Sequence, residues 1–385
     1  MINLRVLHVG LFVCVLLAIA CSASRSPGAL LEQVELFKMR EGGYDTYRIP
    51  ALLTTSKGTL LAFCEARKHS ASDTGDIDLV YRRSFDSGKT WTDQQILADH
   101  GPDTIGNPSP VEDRKTGTIW LLLTGNPGKT SEREILASQG EGTRTVWLTH
   151  SRDDGASWAP LVEITAAVKR PEWTWYATGP VNGVQLKSGR LVIPCDHAEK
   201  GAPSIYSHVI YSDNHGQDWK MGGTVAKDTD ESTVVELADG SLMINMRSNH
   251  GRNRRAVARS RDGGLTWSDI RFDSDLIEPV CQASLLRFTA IHRFGKNRLL
   301  FSNPADTQRA KMTARMSYDE GETWPVSKLL HEGPSAYSSL AVLPDHTIGC
   351  LYEGGSGQRR EWIRLARFNV EWLSNGADSV QVKKP

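Results

Sequence analysis

Ser84-Phe85-Asp86-Ser87-Gly88-Lys89-Thr90-Trp91 is the first of five copies of one pattern: Ser, any residue, Asp or Asn, any residue, Gly, two residues, Trp. The others are SRDDGASW from Ser151 to Trp158, SDNHGQDW from Ser212 to Trp219, SRDGGLTW from Ser260 to Trp267 and SYDEGETW from Ser317 to Trp324. In the third, Asn214 replaces the Asp. The opening serines, Ser84, Ser151, Ser212, Ser260 and Ser317, recur at similar intervals along the chain. The chemistry is that of a hairpin turn. The Asp or Asn side chain accepts backbone N–H groups across the turn. The Gly takes a conformation that is strained for other residues. The Trp folds back between strands as a small apolar anchor. The box aspartates therefore read as scaffold and not as catalytic groups.

Ahead of and between the boxes lie short apolar or alternating runs, such as Leu60 to Phe63, Ile119 to Leu123, Arg190 to Pro194 and Leu242 to Met246. Turn residues bound each of them, and no long stretch repeats apolar residues at helical spacing, so they read as strands. A recurring unit that holds several short strands signals a β-propeller. The mature chain divided by the box-to-box interval gives six blades, the sixth without a box. The expectation is an all-β, six-bladed propeller over residues 35–372, followed by a polar tail at 373–385.

Acidic and basic residues balance at 45 each in a chain of 385, which argues against a nucleic-acid partner held by bulk charge. Arg5 precedes an apolar run from Val6 to Ala20 that is too short to span a membrane comfortably and has the shape of a secretion signal. Residues 1–24 are expected to be removed on export, or lipidated at Cys21. The expected location is secreted, periplasmic or lipid-anchored at the surface, with no other membrane segment. Cys64, Cys195, Cys281 and Cys350 are widely spaced, mostly within apolar strands, form no C-x-x-C pair and read as buried thiols, with one disulfide left open for an oxidising compartment.

The boxes resemble the Asp-box of the sialidase superfamily. Tyr47-Arg48-Ile49-Pro50, just ahead of the first apolar strand, looks like the YRIP motif that opens sialidase catalytic domains. The resemblance covers residues 35–370 and implies a retaining exo-sialidase that needs neither cofactor nor metal and acts on sialylated glycoproteins, glycolipids and oligosaccharides. Sialic acid carries a carboxylate on its anomeric carbon, and arginine suits it because its planar fork stays charged. The family's three arginines map to Arg48, to Arg247 in MINMRSN and to Arg309 in NPADTQRAKM, which precedes the implied nucleophile at a family-like spacing. Arg315 competes with Arg309.

That nucleophile is Tyr337, in GPSAYSSL. A neutral phenol escapes the repulsion an anionic attacker would meet from the substrate's own charge. Glu231, in DTDESTVVEL upstream of Arg247, is its implied base, with Glu236 a weaker candidate. Asp73, downstream of Arg48 in a loop rich in Ser, Gly and Asp, is the implied acid/base. Its task calls for a pKa above that of a free Asp. Asp76 and Asp78 read as pairing near the strand start. Arg67 is placed like a further substrate-contacting arginine, and Glu353 like the glutamate that orients the first arginine. Trp173, Trp175 and Tyr176 read equally as pocket wall or strand core.

There is no HExxH, G-x-S-x-G or dinucleotide fingerprint. A non-catalytic propeller binding sialylated glycans, a trans-sialidase and a hydrolase for deaminated sialic acids stay open as alternatives, and the oligomeric state is not specified.

Overall fold

In Leu60-Leu61-Ala62-Phe63-Cys64 every side chain is buried, which an alternating strand achieves only when both its faces are covered. Leu60, Ala62 and Cys64 pack with Leu351, Ile363 and Leu365 from the end of the chain. Leu61 and Phe63 point the other way, onto Ile105, Ile119 and Leu121. The same two-sided burial repeats around a ring. In a computed structural model describing residues 28–202 and 204–380, 24 strands group into six four-stranded blades. The expected signal segment at 1–24, with Cys14 and Cys21, lies outside the described residues, as do residues 381–385 of the tail.

Blade I comprises Thr46–Thr54, Leu60–Arg67, Ile77–Ser84 and Gln95–Ala98, ordered from the centre outward. Blade II comprises Thr104–Asp113, Thr118–Asn126, Thr145–Ser151 and Val162–Glu163. Blade III has Trp173–Thr178 with Val184–Gln185, then Leu191–Glu199, Ile205–Ser212 and Lys220–Lys227. Blade IV has Thr229–Glu236, Leu242–Ser248, Arg254–Ser260 and Arg271–Ile277. Blade V has Ser284–Thr289, Arg298–Pro304, Ala310–Ser317 and the first half of Val326–Val342. The second half of that long strand opens blade VI, followed by Ile348–Gly354 and Trp362–Phe368. The fourth strand of blade VI is Leu31–Lys38, paired antiparallel from Leu31 opposite Phe368 to Lys38 opposite Trp362. The ring is thus closed by strands from both ends of the described chain.

All five boxes follow the third strand of their blade. In the first, Ser84 Oγ accepts from Gly88 N–H at 2.9 Å, and Asp86 Oδ1 accepts from Lys89 and Thr90 N–H at 3.0 and 2.9 Å. Each box Trp packs into the seam with the preceding blade; Trp158, for example, meets Phe63 at 5.8 Å. Gly155 has φ 75°, and a Cβ there would stand 2.7 Å from Leu61 of the blade before, so both conformation and space require glycine. Blade VI lacks a box because its third strand does not continue into its fourth, which comes from the other end of the chain.

The expected tail is tied to the ring: Asp378 binds the buried Arg298 at 2.7 Å through both oxygens. Cys64, Cys195, Cys281 and Cys350 are free and buried. No helix among the described residues is long and apolar enough to cross a membrane.

Candidate active site

Antiparallel pairing places the start of each innermost strand beside the end of the second. Thr46 faces Arg67, Thr229 faces Ser248 and Ser335 faces Gly354. The box ends lie on the opposite rim, where Leu60 faces Ser84 and Leu242 faces Ser260. Arg48, Arg67, Asp73, Glu231, Arg247, Arg309, Tyr337 and Glu353 fall on the first rim, away from the boxes, whereas Glu236 and Arg315 do not.

Innermost strands open on that rim with a register irregularity. It falls between Arg48 and Ala51, between Gly106 and Ser109, between Thr229 and Ser232, and between Ser335 and Ser338. Such bulges re-aim a side chain and interrupt the ladder. They bracket Ile49, Asn107, Glu231 and Tyr337, all of which line one central cavity of about 390 Å³. In the first bulge Pro50 brings no N–H to the ladder, and Ile49 sits at φ 57°.

At the cavity floor the Tyr337 hydroxyl donates to Glu231 Oε1. Arg247 Nη1 donates to the other oxygen of Glu231 at 2.9 Å, and its Nε stands 3.3 Å from Asp230. The guanidinium carbons of Arg48 and Arg309 lie 5.0 and 5.7 Å from the centroid of the Tyr337 ring. Arg309 donates to the Val280 carbonyl at 3.0 Å. Thus Arg48 and Arg309, from blades I and V, lie against one phenol, and Arg247, from blade IV, is joined to it through Glu231. Burial raises the pKa of Tyr337 well above its ordinary value, and the charge of Glu231 adds to this, while the three arginines oppose it. Burial also raises the Glu231 carboxyl, against the pull of Arg247.

Arg48 is 2% exposed. Glu353, fully buried, accepts from its Nε and Nη2 at 3.4 and 3.3 Å, and from Ile49 N–H at 2.8 Å. The loop between the second and third strands of blade I brings Asp73 over the cavity. One oxygen of Asp73 takes Nη1 of Arg48 at 3.0 Å and Nη1 of Arg67 at 2.7 Å. Arg67 also reaches Glu65 at 2.6 Å and the carbonyls of Ala71 and Ser72. The pocket walls desolvate Asp73, which would raise its pKa, but Arg67 and Arg48 prevail and hold the carboxyl well below the usual range. This is opposite in sign to the elevated value anticipated for a proton donor, and the cause is the double arginine contact.

The remaining candidates separate cleanly. Arg315 lies on the third strand of blade V, donates to Asn303 at 2.9 Å and does not line the cavity. Glu236 is at the far end of its strand, accepting from Lys187 N–H. Asp76 and Asp78 pair with Lys68 at 2.9 and 3.3 Å. The aromatic trio splits: a register shift between Trp173 and Tyr176 leaves both in the blade II–III core, while Trp175 lines the cavity.

Residues that the sequence did not single out complete the far wall. Arg144 is buried over the Trp175 ring at 4.0 Å and donates to Asn107 and Thr124 at 3.0 and 2.8 Å. Asp196, wholly buried, accepts from Trp175 Nε1 at 3.1 Å, and its other oxygen has no hydrogen-bond partner. Burial pushes its carboxyl well above the usual range, helped by Asp230 and Glu231. Among the described residues no three His, Cys, Asp or Glu side chains are grouped as metal ligands.

A family model described as a BNR repeat-like domain matches residues 58–350. A sialidase of Micromonospora viridifaciens is 36% identical over 352 residues, covering 86% of this chain and 52% of that protein. An exo-alpha-sialidase of Aspergillus fumigatus is 33% identical over 374 residues, covering 88% of this chain and 87% of the other. Among solved structures, a Hadza microbial sialidase superposes with a TM-score of 0.82 at 33% identity, covering 89% of this chain and 69% of that one. The chain spans about half the length of the Micromonospora relative.

Proposed function

Because the chain belongs to the sialidase family, we propose that it is an exo-sialidase, releasing terminal α-linked sialic acid from glycoconjugates with retention of configuration. The observation that carries this is the Tyr337–Glu231 hydrogen bond at the floor of a cavity lined by Arg48 and Arg309, with Arg247 paired to Glu231.

The three guanidinium groups supply fixed positive charge for the sugar's carboxylate. The carboxylate that docks on Arg48 competes for the guanidinium that otherwise holds Asp73, and the bound sugar shields Asp73 from water. Both changes raise the Asp73 pKa from its depressed value toward that of a proton donor. Asp73 then gives its proton to the glycosidic oxygen as that bond to the anomeric carbon breaks. The Tyr337 oxygen bonds to the same carbon while its proton passes to Glu231. Water next attacks the anomeric carbon, losing its proton to Asp73, and the phenolate departs and recovers its proton from Glu231. Two inversions leave the configuration unchanged. Arg247, bound to Glu231, stabilises the carboxylate before it takes the phenol proton.

The test is Tyr337→Phe, which keeps the ring and its contacts with Arg48 and Arg309 and removes only the hydroxyl. Release of a fluorogenic sialoside should fall by at least about 10³-fold, by analogy with loss of other covalent nucleophiles, while binding of free sialic acid persists. Parent-level turnover would refute the assignment.

A further inference from the structure

The hairpin between Ile348–Gly354 and Trp362–Phe368 carries Arg359 and Arg360 into the cavity wall. Arg360 Nη1 donates to the Ala71 carbonyl at 3.2 Å, in the same loop that holds Asp73. Arg48, Arg67 and Arg247 each have a carboxylate partner. Among the described residues, neither Arg359 nor Arg360 forms an ion pair, and the Nε atoms of both are buried without an acceptor. The nearest acid in sequence does not neutralise them. Glu361 is committed to the backbone N–H groups of Ser356, Gly357 and Gln358 at 2.7, 2.9 and 2.9 Å, which shapes the turn. Burial, together with Arg48 and Arg359, pushes the Arg360 guanidinium down to about 10. Asp73 and Glu353 pull the other way without outweighing burial, and an anion in contact would raise it again.

The position of this pair follows from the proposed reaction. Asp73 protonates the oxygen between the released sugar and the rest of the glycan, so the penultimate sugar lies against the Asp73 loop. Arg360 touches that loop. The released sugar's own carboxylate is already matched by Arg48, Arg247 and Arg309.

We infer that Arg359 and Arg360 form a subsite for a second negative charge, a carboxylate or sulfate on the sugar to which the terminal sialic acid is joined. This rests on the sialidase reading and deepens it by naming a substrate class: sialyl-sialosides, or sialosides on a sulfated sugar. An arginine pair can grip either anion through several N–H donors.

The experiment compares kcat/KM of the full chain on four substrates: sialyllactose, its galactose-sulfated form, a sialyl-sialic acid disaccharide, and that disaccharide with its inner carboxylate converted to an amide. The expected preference for disaccharide over amide is about tenfold, the scale of one charge-assisted hydrogen bond. In Arg359→Ala and Arg360→Ala that ratio should fall to near one whatever the absolute rates, and Arg359→Glu should invert it. The sulfate arm shows whether the subsite reads charge in general or the carboxylate alone. Equal rates on acid and amide with the parent, and no gain from sulfate, would overturn the inference. So would a ratio unchanged by substitution. Absence of release from sialyllactose itself would overturn the activity reading, and this inference with it.

Discussion

Replacing Glu353 tests whether the site and the ring share one joint. Glu353 is wholly buried on blade VI and faces Arg48 of blade I, itself 2% exposed. It contributes one oxygen to Arg48 and the other to the N–H of Ile49, the residue held at φ 57°. In Glu353→Ala the guanidinium keeps only Asp73, whose side chain is 52% exposed. Removing one partner of a buried pair costs about 3–5 kcal/mol, and holding a β-branched residue in the left-handed region adds about 1 kcal/mol to what the remaining structure must restrain. Against a total stability of about 5–15 kcal/mol, that is a large share. Glu353→Gln keeps an acceptor for Ile49 and loses only the charge. Its contacts with Arg48 are long, 3.3–3.4 Å, so its loss should be smaller, about 1–2 kcal/mol. Urea unfolding gives both values through the midpoint at constant slope. The loosened Arg48 should also raise KM for a sialoside in both variants. If Glu353→Ala unfolds within about 1 kcal/mol of the parent and its KM is unchanged, the claim that this pair holds Arg48 in place is wrong.

Glu231 has a folded-state pKa raised above its unfolded value, so its contribution to stability is present at low pH and lost as pH rises through the folded pKa. Glu231→Gln should therefore be inactive yet more heat-stable than the parent at pH 7, with the gain shrinking toward pH 4; a loss of melting temperature at pH 7 would contradict this. Asp262 accepts from Leu265 and Thr266 N–H at 3.0 and 2.9 Å in the fourth box. Asp262→Ala should cost about 1–2 kcal/mol in urea unfolding with kcat/KM per folded molecule unchanged, since that turn lies on the rim away from the cavity. Arg309→Ala should raise KM for a sialoside by roughly tenfold or more, while Arg315→Ala should leave KM unaltered; the reverse pattern would move the third arginine.

The blades were readable because their signal is local. A box is one turn whose Ser, Asp and Gly satisfy one another within a single short segment, so spacing alone reveals the period. The missing sixth box is the mark of a blade whose outer strand comes from the other end of the chain. Arg48, Tyr337 and Glu231 were legible through short motifs at the starts of innermost strands. The far wall was not. Asp196 sits in LVIPCDHAE, which reads as an apolar strand that turns polar at Asp196, His197 and Glu199. That it meets Trp175 depends on a register shift in the neighbouring strand. Arg359 and Arg360 lie in a polar, Gly-containing hairpin that reads as a solvated turn. The sign of the Asp73 shift was also hidden, because it depends on two arginines whose distance no spacing encodes.

The last blade is woven from residues 31–38 and 362–368, and the seam it closes is the one that sets Glu353 behind Arg48. During refolding, blades II to V can gather their tryptophan anchors while this seam is still open, but the cavity has no finished floor until the two ends of the chain meet. Recovery of turnover therefore reports the closing of this seam. It should lag behind the tryptophan fluorescence by the time the ring takes to shut.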